Sequence, residues 1–184
     1  RCLVGSEMCI RDRYHKGVDF VVRSNYMEGM GNGVFGVNAA ITRGQIVTIL
    51  YRMEGEPGVD GLENAFTDVK EGKFYTEAVL WAASQGIVEG NGDGTFKPEA
   101  AITREQLAAI LYRYDGEQAV AEDVLSAFSD AGKVSNFAKE AMNWAVANGL
   151  INGIGNGASA TLSPTASASR AQFATILMRY MTEE

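Results

Sequence analysis

Cysteine is nearly missing from this chain, and the little there is sits at one end of the sequence. Cys2 and Cys9 both fall in the first ten residues, and no other follows. A disulfide framework would spread its cysteines through the structure, so none is expected. Long apolar runs are missing too. No stretch approaches the roughly eighteen residues that a membrane helix requires, which excludes a spanning segment. Positive charge is in short supply, with 16 Lys and Arg against 23 Asp and Glu, a net charge of −7. Phosphate binding wants a basic face, so a nucleic-acid partner is excluded as well. His15 is the single histidine, which rules out His-based metal clusters. Against these absences stand 184 residues that are 46% hydrophobic and 21% charged, enough for one ordinary domain with a real core.

Chemistry is equally sparse. No pair of carboxylates recurs with an apolar pocket around it, so a glycosidase dyad has no candidate. Gly90, Gly92 and Gly94 lack the preceding strand of a dinucleotide fingerprint, and their spacing differs from it. The run from Asn91 to Thr95 glances at a calcium loop, but Phe96 stands where an EF-hand demands glycine. No catalytic residue, cofactor or metal is expected, and binding is the more natural function.

What the chain does have is repetition. Thr42-Arg43-Gly44-Gln45, Thr103-Arg104-Glu105-Gln106 and Ser169-Arg170-Ala171-Gln172 are three versions of one anchor, with their arginines 61 and 66 residues apart. Phe35, Phe96 and Leu162 each lie eight residues before the arginine, behind a glycine-rich loop that in the third copy holds Gly153, Gly155 and Gly157. Phe20, Trp81 and Trp144 share an earlier aromatic position. Phe66-Thr67-Asp68 and Phe128-Ser129-Asp130 open the second and third copies. The three units are placed at 14–57, 65–118 and 127–184. Residues 1–13 share none of this pattern and read as translated sequencing or vector read-through. On that reading the native N-terminus is missing, and the lack of a signal peptide says nothing about export.

Each copy is expected to be helix, glycine-rich loop, helix. In the second copy the first helix spans about Tyr75 to Gln85, with Ala78, Trp81, Ala82 and Gln85 on one face. Gly86 and Gly149 end it in the left-handed cap position, and Asn25, the next-best residue for that backbone, does so in the first copy. The second helix starts at each anchor and carries a one-sided apolar stripe: Ile46, Val47, Ile49 and Leu50, or Leu107, Ala108, Ile110 and Leu111, or Phe173, Ala174, Ile176 and Leu177. The fold class is therefore all-α, three helix–loop–helix units whose stripes can meet in a pseudo-threefold cluster.

Thr42 with Gln45, Thr103 with Gln106 and Ser169 with Gln172 have the spacing of a capping box, and need no ligand to explain them. The arginines are different. At the first helical position a cation faces the positive end of the helix dipole, a cost of roughly 0.3–1 kcal/mol. Two accounts stay open on the residues alone. Arg43, Arg104 and Arg170 pair with acids such as Asp68 and Asp130 as structural clamps, or each joins free N–H groups at a helix start to hold a carboxylate or phosphate. Trp81 and Trp144, at helical spacing, read as core, although a partly exposed Trp is also a platform for a sugar face.

Together these landmarks resemble the S-layer homology domains, which occur in threes on bacterial surface proteins. The shared pattern is Phe-x-Asp, an aromatic-bearing helix, the loop Gly90 to Pro98, the Thr-Arg anchor and a helix ending at Leu50-Tyr51-Arg52, Leu111-Tyr112-Arg113 or Leu177-Met178-Arg179. The resemblance covers Tyr14 to about Met181. It implies three prongs around a central three-helix bundle. It further implies an extracellular, wall-bound location, with non-covalent binding of secondary cell-wall polysaccharide attached to peptidoglycan, often pyruvylated, in grooves between prongs. By analogy Arg43, Arg104 and Arg170 grip the carboxylate beside Thr42, Thr103 and Ser169. Trp81 and Trp144 border the sugar, and Asp68 and Asp130 order the groove. A cargo domain is expected on the N-terminal side. Departures from the pattern are Gln45, Gln106 and Gln172 for the usual Glu, Gly36 for the loop proline of the first copy, Leu162 for the loop aromatic of the third, and the missing first Phe-x-Asp. The rival is a purely structural or protein-binding helical repeat in which the arginines are internal ion-pair partners.

Overall fold

The computed structural model of the chain describes residues 14–155 and 160–182. Cys2, Cys9 and Gly157 lie outside the described residues. Six α-helices carry the fold: α1 His15–Arg23, α2 Arg43–Met53, α3 Thr76–Ser84, α4 Arg104–Tyr114, α5 Lys139–Ala147 and α6 Arg170–Thr182. The all-α expectation holds, since among the described residues backbone pairing outside the helices is limited to isolated bridges.

Local chemistry sets the helix limits as the sequence indicates. Thr42 Oγ1 accepts from the Gln45 amide at 3.3 Å while Gln45 Oε1 accepts from the Thr42 amide at 3.0 Å. Thr103 with Gln106 and Ser169 with Gln172 repeat the same two bonds. Each box satisfies one of the orphan amides of its helix start and closes off the segment before it. At the other end of the first helix of each copy, Asn25, Gly86 and Gly149 take φ values of 59°, 71° and 66°. Asparagine thus does the work of glycine in the first copy.

Helix pairing differs from the sequence units. The close partners are α2 with α3, α4 with α5, and α6 with α1. Each anchor helix therefore packs on the aromatic-bearing helix of the next copy, and the last anchor helix returns to the first copy. The apolar stripes of the three anchor helices, Ile46 and Leu50, Leu107 and Leu111, and Phe173 and Leu177, belong to one buried core. Small residues allow the cross-copy approach. At Gly17 in α1 an added Cβ would lie 2.7 Å from the Thr175 Cα of α6. The tryptophans lie in these seams. Trp81 meets Tyr51 and Trp144 meets Tyr112, each at 5.6 Å between ring centres.

The copies are closed by backbone hydrogen bonds at the segments that lead into the anchors. Ile41 N–H donates to the Ala168 carbonyl at 3.0 Å, Ala168 N–H to Ile102 at 2.9 Å, and Ile102 N–H to Ile41 at 3.0 Å. The three bonds run one way round and return to their start. Ile41 and Ile102 are fully buried beneath them, with Phe96, Leu107, Leu111, Phe173 and Leu177 in the same core. At the far ends of the anchor helices Tyr114 donates to Glu54 at 2.5 Å and Tyr180 to Asp115 at 3.1 Å. Each of these bonds again joins one copy to the copy before it.

Candidate functional site: grooves between successive copies

Every anchor arginine reaches out of its own copy into the glycine-rich loop of the next. Arg43 Nε donates to the Phe96 carbonyl at 2.7 Å and its Nη2 to the Glu89 carbonyl at 3.3 Å. Arg104 does the same to Leu162 at 2.7 Å and Asn152 at 3.3 Å. Arg170 donates to Phe35 at 2.9 Å and to the Glu28 carbonyl. The planar guanidinium is suited to this, because its fixed fork ties two carbonyls on opposite sides of a loop in one motion. Arg43 and Arg170 also lie over the Phe96 and Phe35 rings, 4.5 and 4.8 Å from their centres. Leu162 in the third loop has no ring to offer.

The aspartates grip the same loops from the opposite side. Asp68 accepts from the amides of Phe96 at 2.8 Å and Lys97 at 2.7 Å. Asp130 accepts from Leu162 at 2.7 Å and Ser163 at 2.8 Å. One peptide unit is thereby held by its carbonyl through an arginine and by its amide through an aspartate. Lys97 and Ser163 have φ values of 57° and 49°, a backbone that few side chains adopt and that these paired holds maintain. The clamp account of the arginines thus needs a change of partner: carbonyls take the Arg43, Arg104 and Arg170 bonds described above, while Asp68 and Asp130 turn both oxygens to amides. The opening phenylalanines complete the arrangement. An added Cβ at Gly153 would stand 2.5 Å from the Phe128 ring, and one at Gly90 2.9 Å from the Phe66 ring.

Free helix-start amides, the basis of the anion account, are not available. The Arg43, Arg104 and Arg170 amides donate to Ala100, Ala166 and Ala39, and the next amides of each helix to Pro98, Pro164 and Val37. The third amide goes to the capping box. These same bonds place Val37 in register with Pro98 and Pro164, so Val37 and not Gly36 stands at the proline position of the first copy. Gly36, at φ 72°, is the counterpart of Lys97 and Ser163.

Open grooves remain beside the clamps. One holds a cavity of about 350 Å³ between Arg43, the loop at Glu89 and Asn91, and Gln106 and Arg113 of α4, with Phe137 at its rim. A second, of about 120 Å³, lies between Arg104, the loop at Asn152, and Gln172 and Arg179 of α6. Burial lowers the Arg43 pKa from its ordinary value, the like charge of Arg113 adds to that, and Asp68 opposes it. Burial alone lowers Arg170. A second arginine in each groove was visible in the sequence only as the end of an apolar helix. The signal available was the interval: Gln106 to Arg113 and Gln172 to Arg179 are seven residues apart, hence on one helix face. Trp81 and Trp144 are 7% and 4% exposed, which leaves little ring for a sugar to cover. Phe137, 58% exposed at a groove rim, is the aromatic that the sequence reading passed over.

The S-layer homology domain pattern matches residues 12–47, 65–108 and 127–174. The chain belongs to the S-layer homology domain family. It is 32% identical over 167 residues to the surface-layer 125 kDa protein of Lysinibacillus sphaericus, covering 89% of this chain and 14% of that protein. It is 31% identical over 172 residues to an amylopullulanase of Thermoanaerobacterium thermosulfurigenes, covering 91% of this chain and 9% of the relative. A cellulosome-anchoring protein of Acetivibrio thermocellus is 27% identical over 101 residues, covering 52% of this chain and 22% of that protein. The chain thus spans only a small part of the length of these relatives. No described helix is long and apolar enough to cross a membrane.

Proposed function

We propose that this triplet anchors an exported protein non-covalently to the outer face of a bacterial cell wall, by binding secondary cell-wall polysaccharide in the grooves between copies. The observation that carries the reading is the convergence of two arginines, Arg43 with Arg113 and Arg104 with Arg179, in grooves open to solvent. Carboxylates on a polymer, such as those of pyruvate ketals, suit a pair of guanidinium groups through charge-assisted bonds. In this reading Arg43, Arg104 and Arg170 act mainly by shaping the loop that forms one groove wall, and Asp68 and Asp130 order that loop from behind. Thr42, Thr103 and Ser169 set the helix starts. Phe137 offers the exposed apolar face that a sugar ring prefers. Kinship with a surface-layer protein and a cellulosome-anchoring protein supports a surface location.

A second reading, a purely structural or protein-binding repeat, draws support from the hydrogen bonds that occupy each anchor arginine. Co-sedimentation of the chain with purified Gram-positive walls, before and after acid removal of the secondary polysaccharide, separates the two. Retention that disappears with the polysaccharide is the expected result. Equal retention on stripped walls, or none by a chain verified as folded, favours the structural repeat.

A further inference from the structure

Two of the three glycine-rich loops are gripped by a carboxylate, and the first is not. Asp68 takes the amides of Phe96 and Lys97, and Asp130 those of Leu162 and Ser163. Phe35 and Gly36 are the counterparts in the first copy. Arg170 Nε donates to the Phe35 carbonyl as Arg43 and Arg104 do to those of Phe96 and Leu162, and Gly36 shares the left-handed backbone of Lys97 and Ser163. Among the described residues no acceptor faces the Phe35 and Gly36 amides. Phe35 is buried, and a backbone amide in such surroundings normally has a partner.

Two further differences fall on the same spot. Gly90 and Gly153 lie against the Phe66 and Phe128 rings, where an added Cβ would stand 2.9 and 2.5 Å from them. Gly29 is their counterpart: its added Cβ would meet the Val34 carbonyl at 3.0 Å, as that of Gly90 meets the Thr95 carbonyl at 2.9 Å. No described ring lies against Gly29. Charge follows the same division. Asp68 offsets part of what burial and Arg113 do to the Arg43 guanidinium, and among the described residues no carboxylate does this for Arg170. The Arg170 guanidinium stands over the Phe35 ring, close to both idle amides.

We propose that the Phe35 and Gly36 amides form a receptor for an aspartate on a segment of a partner protein, and that an aromatic-x-Asp sequence there completes the first copy in trans. The two intact copies specify the ligand. Two neighbouring N–H groups suit both oxygens of one carboxylate, a ring two residues earlier covers Gly29, and Arg170 favours a negative charge. A second molecule of this chain could offer Phe66 to Asp68 only by giving up its own clamp, so the ligand is a separate peptide segment. The receptor lies on the face of the loop opposite the arginine bonds. It is independent of the anchoring function proposed above. Glu7, outside the described residues, is as far before Phe20 as Asp68 is before Trp81, and is the acid in cis that a test must separate.

The probe is a blocked peptide with the sequence of residues 64–70, titrated into the isotope-labelled whole chain and followed by proton–nitrogen correlation spectra. The Phe35 and Gly36 amides are expected to move downfield, while those of Phe96, Lys97, Leu162 and Ser163 stay in place. Asp68→Asn in the peptide should weaken binding about tenfold to a hundredfold, the scale of one charge-assisted hydrogen bond. Phe66→Ala in the peptide should weaken it as well. No shift at Phe35 and Gly36 with millimolar peptide, or equal binding by the asparagine peptide, overturns the receptor. Sodium acetate that reproduces the shifts at equal concentration overturns the segment and leaves a site for any small carboxylate. Glu7→Gln in the chain is expected to leave both amides unmoved. Upfield movement in that variant means that the acid comes from the same chain, and the proposal fails.

Discussion

Truncating Arg104 to alanine removes a hold between two copies. The side chain is 4% exposed and donates at 2.7 Å to the Leu162 carbonyl, whose residue is fully buried. A hydrogen bond from a charged donor contributes about 1.5–3 kcal/mol net, and a buried acceptor left alone costs about 1–3 kcal/mol. The second bond, to Asn152 at 3.3 Å, is longer and only partly buried, so it adds less. Part of the loss is offset because a guanidinium no longer has to be desolvated. The net expectation is a loss of about 3 kcal/mol, or a fall in Tm of about 6–12 °C for a chain of this size. Urea unfolding followed by far-ultraviolet circular dichroism measures it, with an unchanged denaturant slope as the sign that only stability moved. Arg104→Lys keeps the charge but not the fork, so it should recover only part of the loss. Arg52→Ala is the internal control: its 3.8 Å pair with Glu56 is well exposed, and less than about 0.5 kcal/mol should follow. A loss below about 1 kcal/mol for Arg104→Ala would refute the clamp.

Gly17→Ala tests whether the first copy docks on the last. Its new Cβ would stand 2.7 Å from backbone of α6, and overpacking of that kind costs about 1–3 kcal/mol by thermal melt; a neutral result would mean that α1 does not seat as described. The Tyr114 phenol is pushed well above its ordinary pKa, first by burial and then by its hydrogen bond to Glu54. A raised folded-state value for a group that is neutral when protonated contributes stability that is complete below the unfolded value of about 10 and declines as pH rises through and beyond it. Unfolding curves taken from about pH 8 upward should therefore show a steeper alkaline decline in the parent chain than in Tyr114→Phe. Identical slopes would remove the Tyr114–Glu54 contact from the account.

Much of this protein is legible one residue at a time. The capping boxes, the left-handed cap at Asn25 and the helix stripes are interactions over three or four positions, which a sequence displays directly. Recurrence in triplicate turns weak local signals into a specific pattern, and the family follows from it. The placement of Trp81 and Trp144 in the core is likewise what helical spacing favours. Misplacing Gly36 at the proline position was a local misalignment that the backbone register through Val37 corrects.

The partners of the arginines lie at separations of 46 to 142 residues, where periodicity carries no information. A cation at a helix start looked like an invitation to an anion because a lone helix leaves its first amides empty. In the assembled chain, loop carbonyls of the neighbouring copy already fill them. Whether a helix packs on its own copy or the next depends on how three units close, and closure belongs to no single unit. The sequence by itself determined the repeats, the helices and their ends, because those arise from neighbours along the chain. Tertiary structure alone decided that each copy is completed by the next, and that two arginines from different copies share a groove, because both depend on surfaces that exist only after the ring of copies has closed.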